Sequence, residues 1–328
     1  MIKKSAKFED YIINIIEDSS VEVLKNGEKS SNTVSELRTI SNKISFPYDE
    51  GWNTRQFGKK LVEFLSENNI HFRFVASELV NICKNYKADK AHFTEKQEVD
   101  KKINDIKKYP HLFVLACLMD RQIKAERAWE IPYRICKDLC NDNFSFKAHS
   151  KLLSNERIII DYFNKNNLHR FNSKMAQIYI DAIYRIRDKY NGDASLIWNG
   201  NNSSAEVIYR FLCFNGCGVK IASMATNLLH RIYGIKYTDY SVLDISPDIH
   251  VRRVLYRLGL IENMVDVNLV IYRARSINPS YPGILDKCCW DIGRKYCYPT
   301  NPNCEKCDLN KICCKLINDL NDPNDHKK

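Results

Sequence analysis

Four cysteines near the carboxyl end restrict this chain more than any other feature of its sequence. They stand in CYPTNPNCEKCDLNKIC, Cys297 to Cys313, with six, two and five residues between successive thiols. Thiols spaced this closely either hold a metal centre or pair as disulfides in an oxidising compartment. The cysteine count is thirteen, an odd number, and Cys117, Cys136, Cys140 and Cys213 fall inside apolar stretches with helical patterning. That distribution suits a reducing compartment, and hence a metal, better than a disulfide framework.

A length of 328 residues suggests two compact units and a core of real size. No run of 18 apolar residues occurs, so no membrane span is expected. The start, MIKKSAKFEDYIINIIEDSS, is too polar and too early interrupted by acids for a secretory signal. A cytoplasmic location follows as the expectation, nucleoid-associated if the source is bacterial. The net charge of +10 and pI near 8.9 favour a polyanionic partner, though solvated surface lysines give the same composition.

The first ninety or so residues differ in texture from the rest. A short amphipathic helix is expected over Lys7–Glu17, then a hairpin in VEVLKNGEKSS around its Asn-Gly pair. Helices follow over Thr33–Ile44 and Thr54–Ser66, the second behind a cap signal at Asn53 and the loop FPYDEGW. The lysine-rich KNYKADKAHFTEKQEVDKK reads as a boundary. From Tyr109 onward apolar residues recur at three- and four-residue steps, and little reads as strand: an all-α body.

Between two of these helices lies Phe214-Asn215-Gly216-Cys217-Gly218-Val219-Lys220. Two glycines one residue apart, directly before a helix, permit a tight turn that leaves backbone N–H groups open. Those groups lack intrahelical partners and carry the positive end of the helix dipole, so the turn is suited to a phosphate. An ordinary interhelical turn has the same pattern.

The order of elements resembles the helix-hairpin-helix DNA glycosylase superfamily, most closely its endonuclease III branch. That family's hairpin reads roughly L-P-G-V-G-R-K-T-A, against F-N-G-C-G-V-K-I-A at Phe214–Ala222. Its Asp-x-His before a basic helix has a counterpart in Asp248-Ile249-His250, followed by Val251-Arg252-Arg253. Its iron–sulfur loop has cysteines at the intervals found here. The match spans roughly Tyr109 to Lys315 and leaves the amino-terminal part uncovered. The fold that the resemblance implies is mainly α: a small α+β module over 1–95, a two-lobed glycosylase core over 96–287 with the hairpin at 211–230, a cluster loop over 288–316, and a polar tail over 317–328. The DNA site would lie between the lobes.

The same resemblance implies that Cys297, Cys304, Cys307 and Cys313 hold a [4Fe–4S] cluster, which requires four thiolates. A structural zinc site is the alternative, although zinc ribbons more often show two separated C-x-x-C pairs. Cys314 and the Cys288-Cys289 pair read as buried or spare thiols. Arg294, Lys295, Lys306 and Lys311 would then face DNA phosphates. Asp248 would stabilise an oxocarbenium-like transition state, or else merely cap its helix. Lys220 occupies the position of the catalytic lysine, whose amine forms a Schiff base and makes the enzyme an abasic-site lyase as well. Gly216, Gly218 and Arg252 are candidate DNA contacts. Gln122 or Arg121 is the candidate wedge that fills the gap left by a base flipped out of double-stranded DNA. Trp129, Tyr237 and Tyr240 are either base-stacking or core aromatics.

Two departures stand out. Lys220 and Asp248 are 28 positions apart, more than in the family, so an insertion offers Asp239 and Asp244 as rival carboxylates. The hairpin has Asn215 and Val219 where the family has proline and a basic residue. Three alternatives stand beside the bifunctional enzyme: a monofunctional glycosylase using water, a DNA-binding protein without chemistry, and a zinc-stabilised helical scaffold. The target base, and a role in repair as against defence, are not legible.

Overall fold

The computed structural model of the chain describes residues 1–47, 49–86 and 93–317, the side chain of Lys3 apart. Part of the lysine-rich boundary segment, Tyr48 of the FPYDEGW loop and all but the first residue of the polar tail lie outside that set. The described residues form two compact units. One comprises Met1–Asn85, Asp248–Arg273 and the described residues from Cys289 on; the other comprises Tyr86–Pro247 and Ala274–Cys288.

The first unit begins with an antiparallel meander of four strands, β1 (Ile2–Phe8), β2 (Tyr11–Ile16), β3 (Val21–Lys25) and β4 (Glu28–Lys29). The helix expected over Lys7–Glu17 is therefore a β-turn-β: Phe8 pairs with Tyr11, and Glu9 turns the chain at a φ of 51°. The physical reason is the two-residue period of Ala6, Phe8, Tyr11, Ile13 and Ile15. These side chains all enter one core with Val23, Leu37, Ile40, Phe57 and Leu61. A run of β-branched isoleucines favours that arrangement over helix. The Asn26-Gly27 hairpin is present as expected, with Leu24 opposite Lys29 and Lys25 opposite Glu28. Two helices also stand where the patterning puts them, α1 (Thr33–Lys43) and α2 (Thr54–Glu67). A reciprocal capping box between Asn53 and Gln56 starts α2. A third, α3 (Ile70–Asn85), was not expected; Asn69, at a φ of 50°, separates it from α2.

The second unit is helical: α4 (Gln97–Ile103), α5 (Pro110–Met119), α6 (Ala125–Leu139), α7 (Phe146–Lys151), α8 (Arg157–Lys165), α9 (Asn172–Lys189), α10 (Ser204–Leu212) and α11 (Val219–Arg231). Helix α4 lies in what reads as polar linker, because Val99 and Ile103 are its only apolar residues. Every residue of α5 is buried, and an apolar helix without a polar face belongs at the centre of a core. Each fully buried Leu, Ile or Phe there stabilises the unit by roughly 1.5–3 kcal/mol. The last helices are α12 (Ile249–Arg257), α13 (Val267–Ile277) and α14 (Asp286–Lys295). No strand occurs after β4 among the described residues, as the patterning from Tyr109 onward requires.

Candidate functional site

The helix–hairpin–helix expected over 211–230 is formed by α10, the turn Cys213–Gly218 and α11. Phe214 anchors it, buried, with its ring parallel to that of Tyr190 at 6.1 Å and the Arg185 guanidinium 5.3 Å from its centre. Gly216 has a φ of 77°, and a Cβ there would meet the Ile178 Cδ1 atom at 2.5 Å. No other residue fits so close an approach to α9. Asn215, which replaces the expected proline, donates from its amide to the Asp181 carboxylate on α9 at 2.5 Å, a second tie on the same helix. Gly218 is the N-cap of α11; it supplies no side-chain cap, and a Cβ there would meet nothing within 4 Å. Lys220, the second residue of α11, is exposed.

Asp248 belongs to the other unit. It is half-buried at the N-cap of α12, and its Oδ1 accepts from the His250 backbone N–H at 2.9 Å. Capping is therefore part of its role. His250 packs against α14 so tightly that a Cβ on Gly293 would come within 2.6 Å of its own. Burial lowers the pKa of this imidazole, and its Nδ1 accepts from the Arg253 Nη2 atom at 2.9 Å.

The rival carboxylates are otherwise engaged. Asp239 accepts from the buried Ser204 hydroxyl at 3.1 Å. Asp244 is buried in a two-point pair with Arg275, both contacts at 2.7 Å. The inserted segment between α11 and Asp248 is pinned down by its aromatics. The Tyr237 hydroxyl donates to the Thr226 carbonyl at 3.0 Å, and the Tyr240 ring lies 4.6 Å from that of His230. Tyr237 is buried, as is Trp129, which stacks on Phe93; both are core aromatics. Tyr240 remains half-buried.

Arg121 and Gln122, the candidate wedge, lie in the turn between α5 and α6. The Asp120 backbone leaves α5 there, and Gln122 stands exposed at a φ of 56°, a strained conformation for a residue with a side chain.

In the first unit, Cys297, Cys304, Cys307 and Cys313 line one small pocket, with Arg257, Tyr296, Pro302 and Asn310 around them. Burial raises the Cys307 thiol and pushes that of Cys313 up to about 11. The basic face of α12 holds this loop. Arg257, 6% exposed, donates to the Cys297 sulfur at 3.3 Å and to the carbonyls of Tyr298 and Pro299 at 2.6 and 2.8 Å. Arg253 donates to the Cys297 carbonyl at 2.7 Å. Arg252, expected at DNA, donates to the Met264 carbonyl at 2.7 Å. Lys306 is exposed. Among the described residues no three His, Cys, Asp or Glu side chains are set around a single metal ion. A mononuclear zinc would need its sulfurs drawn to about 2.3 Å from one point. All thirteen cysteines are free, and Cys288 and Cys289 are fully buried.

No protein-family model and no curated protein matches the chain. Among solved structures it is similar to a trapped endonuclease III–DNA covalent intermediate, an estranged-adenine complex. The identity is 17%, over 74% of this chain and 94% of that one, with a TM-score of 0.48. It is also similar to a thermostable thymine-DNA glycosylase at 14% identity, over 75% and 96% of the two chains, with a TM-score of 0.46. Both likenesses are distant. No helix among the described residues is long and apolar enough to cross a membrane.

Proposed function

We propose that this chain is a DNA glycosylase that excises a damaged or modified base from double-stranded DNA, and that Lys220 gives it an abasic-site lyase step. The observation that carries the reading is the hairpin: an exposed glycine, Gly218, starts α11 without a side-chain cap, and the exposed Lys220 stands one residue inside the helix. Amides at a helix N-terminus bind phosphate without reading sequence, as an enzyme that must first grip any duplex requires.

In this reading the Lys220 amine attacks the anomeric carbon of an extruded nucleotide, and the bond to the base breaks. The resulting Schiff base loses a proton from the neighbouring sugar carbon, and the 3′ phosphate leaves by β-elimination. The Asp248 carboxylate stabilises the cationic transition state. Gln122, strained and exposed, is the proposed wedge in the emptied stack, and Lys306 a proposed phosphate contact. The four thiols lining one cavity would hold the [4Fe–4S] cluster, whose service there is structural: it ties down a loop that Arg253 and Arg257 already grip.

A panel of duplex oligonucleotides, each bearing one modified base, tests this directly. Excision with strand cleavage is expected on at least one member and on no unmodified duplex. Excision without cleavage would remove the lyase step, and no excision on any member would leave a DNA-binding protein. The second reading has an observation in its favour, since Asp248 is already employed as a cap.

A further inference from the structure

We propose that the amino-terminal module is a clasp on the cysteine loop, holding it shut at Cys313 and Cys314. The inference rests on the reading that the four thiols hold an iron–sulfur cluster, and adds a task for the part of the chain which that reading leaves without one.

Two side chains of the module reach the end of the loop. Lys7, on β1, donates from its ammonium to the Cys313 carbonyl at 3.2 Å, across 306 residues of sequence. His71, at the start of α3, places its Nε2 3.3 Å from the Cys314 sulfur. On its other side Cys314 donates to the Leu258 carbonyl at 3.3 Å, and the Cys313 thiol donates to that of Arg257 at 3.2 Å. Room for Cys314 is made by Gly259, whose φ is 72° and where a Cβ would stand 3.0 Å from that sulfur. The same corner is packed from the module by Phe72, which carries the Arg273 guanidinium 4.5 Å from its ring, while Arg273 donates to the Leu260 carbonyl at 2.6 Å.

Cys314 thus turns away from the thiol cavity and into the module, and serves as the peg by which the loop is fastened. Cys313 closes the set of four, five residues beyond Cys307. Lys7 holds its carbonyl, and His71 holds the sulfur of the residue that follows. Without them the end of the loop is tethered only from the α12 side, through the Arg257 and Leu258 carbonyls. The module is a positioning element for the loop.

The test compares full-length wild type with Lys7→Met and Cys314→Ala, purified without oxygen. Ile40→Val, in the module's core and away from the clasp, is the control for general loosening. Three quantities are measured: iron per chain, the rate at which visible absorption bleaches under a chelator, and the rate of tryptic cleavage after Lys311 and Lys315. Equal iron at isolation is expected, with bleaching and cleavage about fivefold faster in both clasp variants, the scale of one lost hydrogen bond, and unchanged in the control. Rates equal to wild type, or a control that bleaches and is cleaved as fast as the clasp variants, overturn the proposal. Wild type without iron would sink the cluster reading alone, and the cleavage rates would still decide the clasp.

Discussion

Asp248 is the residue whose two possible tasks are hardest to separate, because a carboxylate at a helix N-cap is already well employed. The substitution Asp248→Asn separates them. Asparagine caps a helix about as well as aspartate, so stability should stay within about 0.5 kcal/mol of wild type. It carries no charge to stabilise an oxocarbenium ion, so excision should fall about 10²- to 10⁴-fold. Single-turnover excision beside thermal unfolding measures both, and undiminished excision would remove Asp248 from the chemistry. The arginines of α12 teach the converse lesson. In sequence Arg252 is the candidate DNA contact of a basic helix; in the fold Arg252, Arg253 and Arg257 all point their guanidinium groups at main-chain carbonyls. A basic residue type cannot announce whether its partner is a phosphate or a peptide, because both are oxygen acceptors.

At the scale of elements, legibility followed how much of the pattern is local. The Asn26-Gly27 hairpin and the capping box of α2 are written in adjacent residues, and both were readable. The turn at Glu9-Asp10 has no glycine or proline, so β1 and β2 merged into an apparent helix. Helix α4 shows only two apolar residues, and its support comes from tertiary contacts that no local pattern records. Another tertiary feature carries a pH dependence. His111 on α5 and His149 on α7 lie with ring centres 5.2 Å apart in the core, and the Tyr179 hydroxyl sits 2.7 Å from His149. Burial lowers the His111 pKa to about 4 and that of His149 well below its ordinary value. In the unfolded chain an imidazole takes up a proton near pH 6.5, whereas folded His111 resists until about 4. Below pH 6.5 the unfolded state therefore binds more protons, and stability declines as the pH falls. By pH 5 His111 alone should cost about 2 kcal/mol, with His149 acting in the same direction. Urea midpoints at pH 7.5 and 5 measure the loss; equal midpoints would contradict neutral, buried histidines.

For the whole molecule, composition indicated a direction and no more. The surplus of +10 is real, but part of the basic complement is committed inside the fold, so the charge available to DNA is smaller than the count suggests. Lys306 is among the exposed remainder. Binding to duplex DNA should weaken steeply with salt, and Lys306→Ala should reduce the log–log slope by about 0.9 if that ammonium meets one phosphate. Fluorescence anisotropy between about 50 and 200 mM salt reads it out, and an unchanged slope would place Lys306 away from the backbone. The two named residues of the chemistry, Lys220 and Asp248, sit in separate compact units. Their cooperation is therefore a matter for an experiment on the whole chain. The most direct is borohydride trapping on a duplex whose modified base the enzyme excises. Wild type should become covalently fixed to the DNA through a reduced Schiff base, and Lys220→Ala should give no adduct. An adduct undiminished by loss of Lys220, or none with wild type while excision proceeds, would contradict the account.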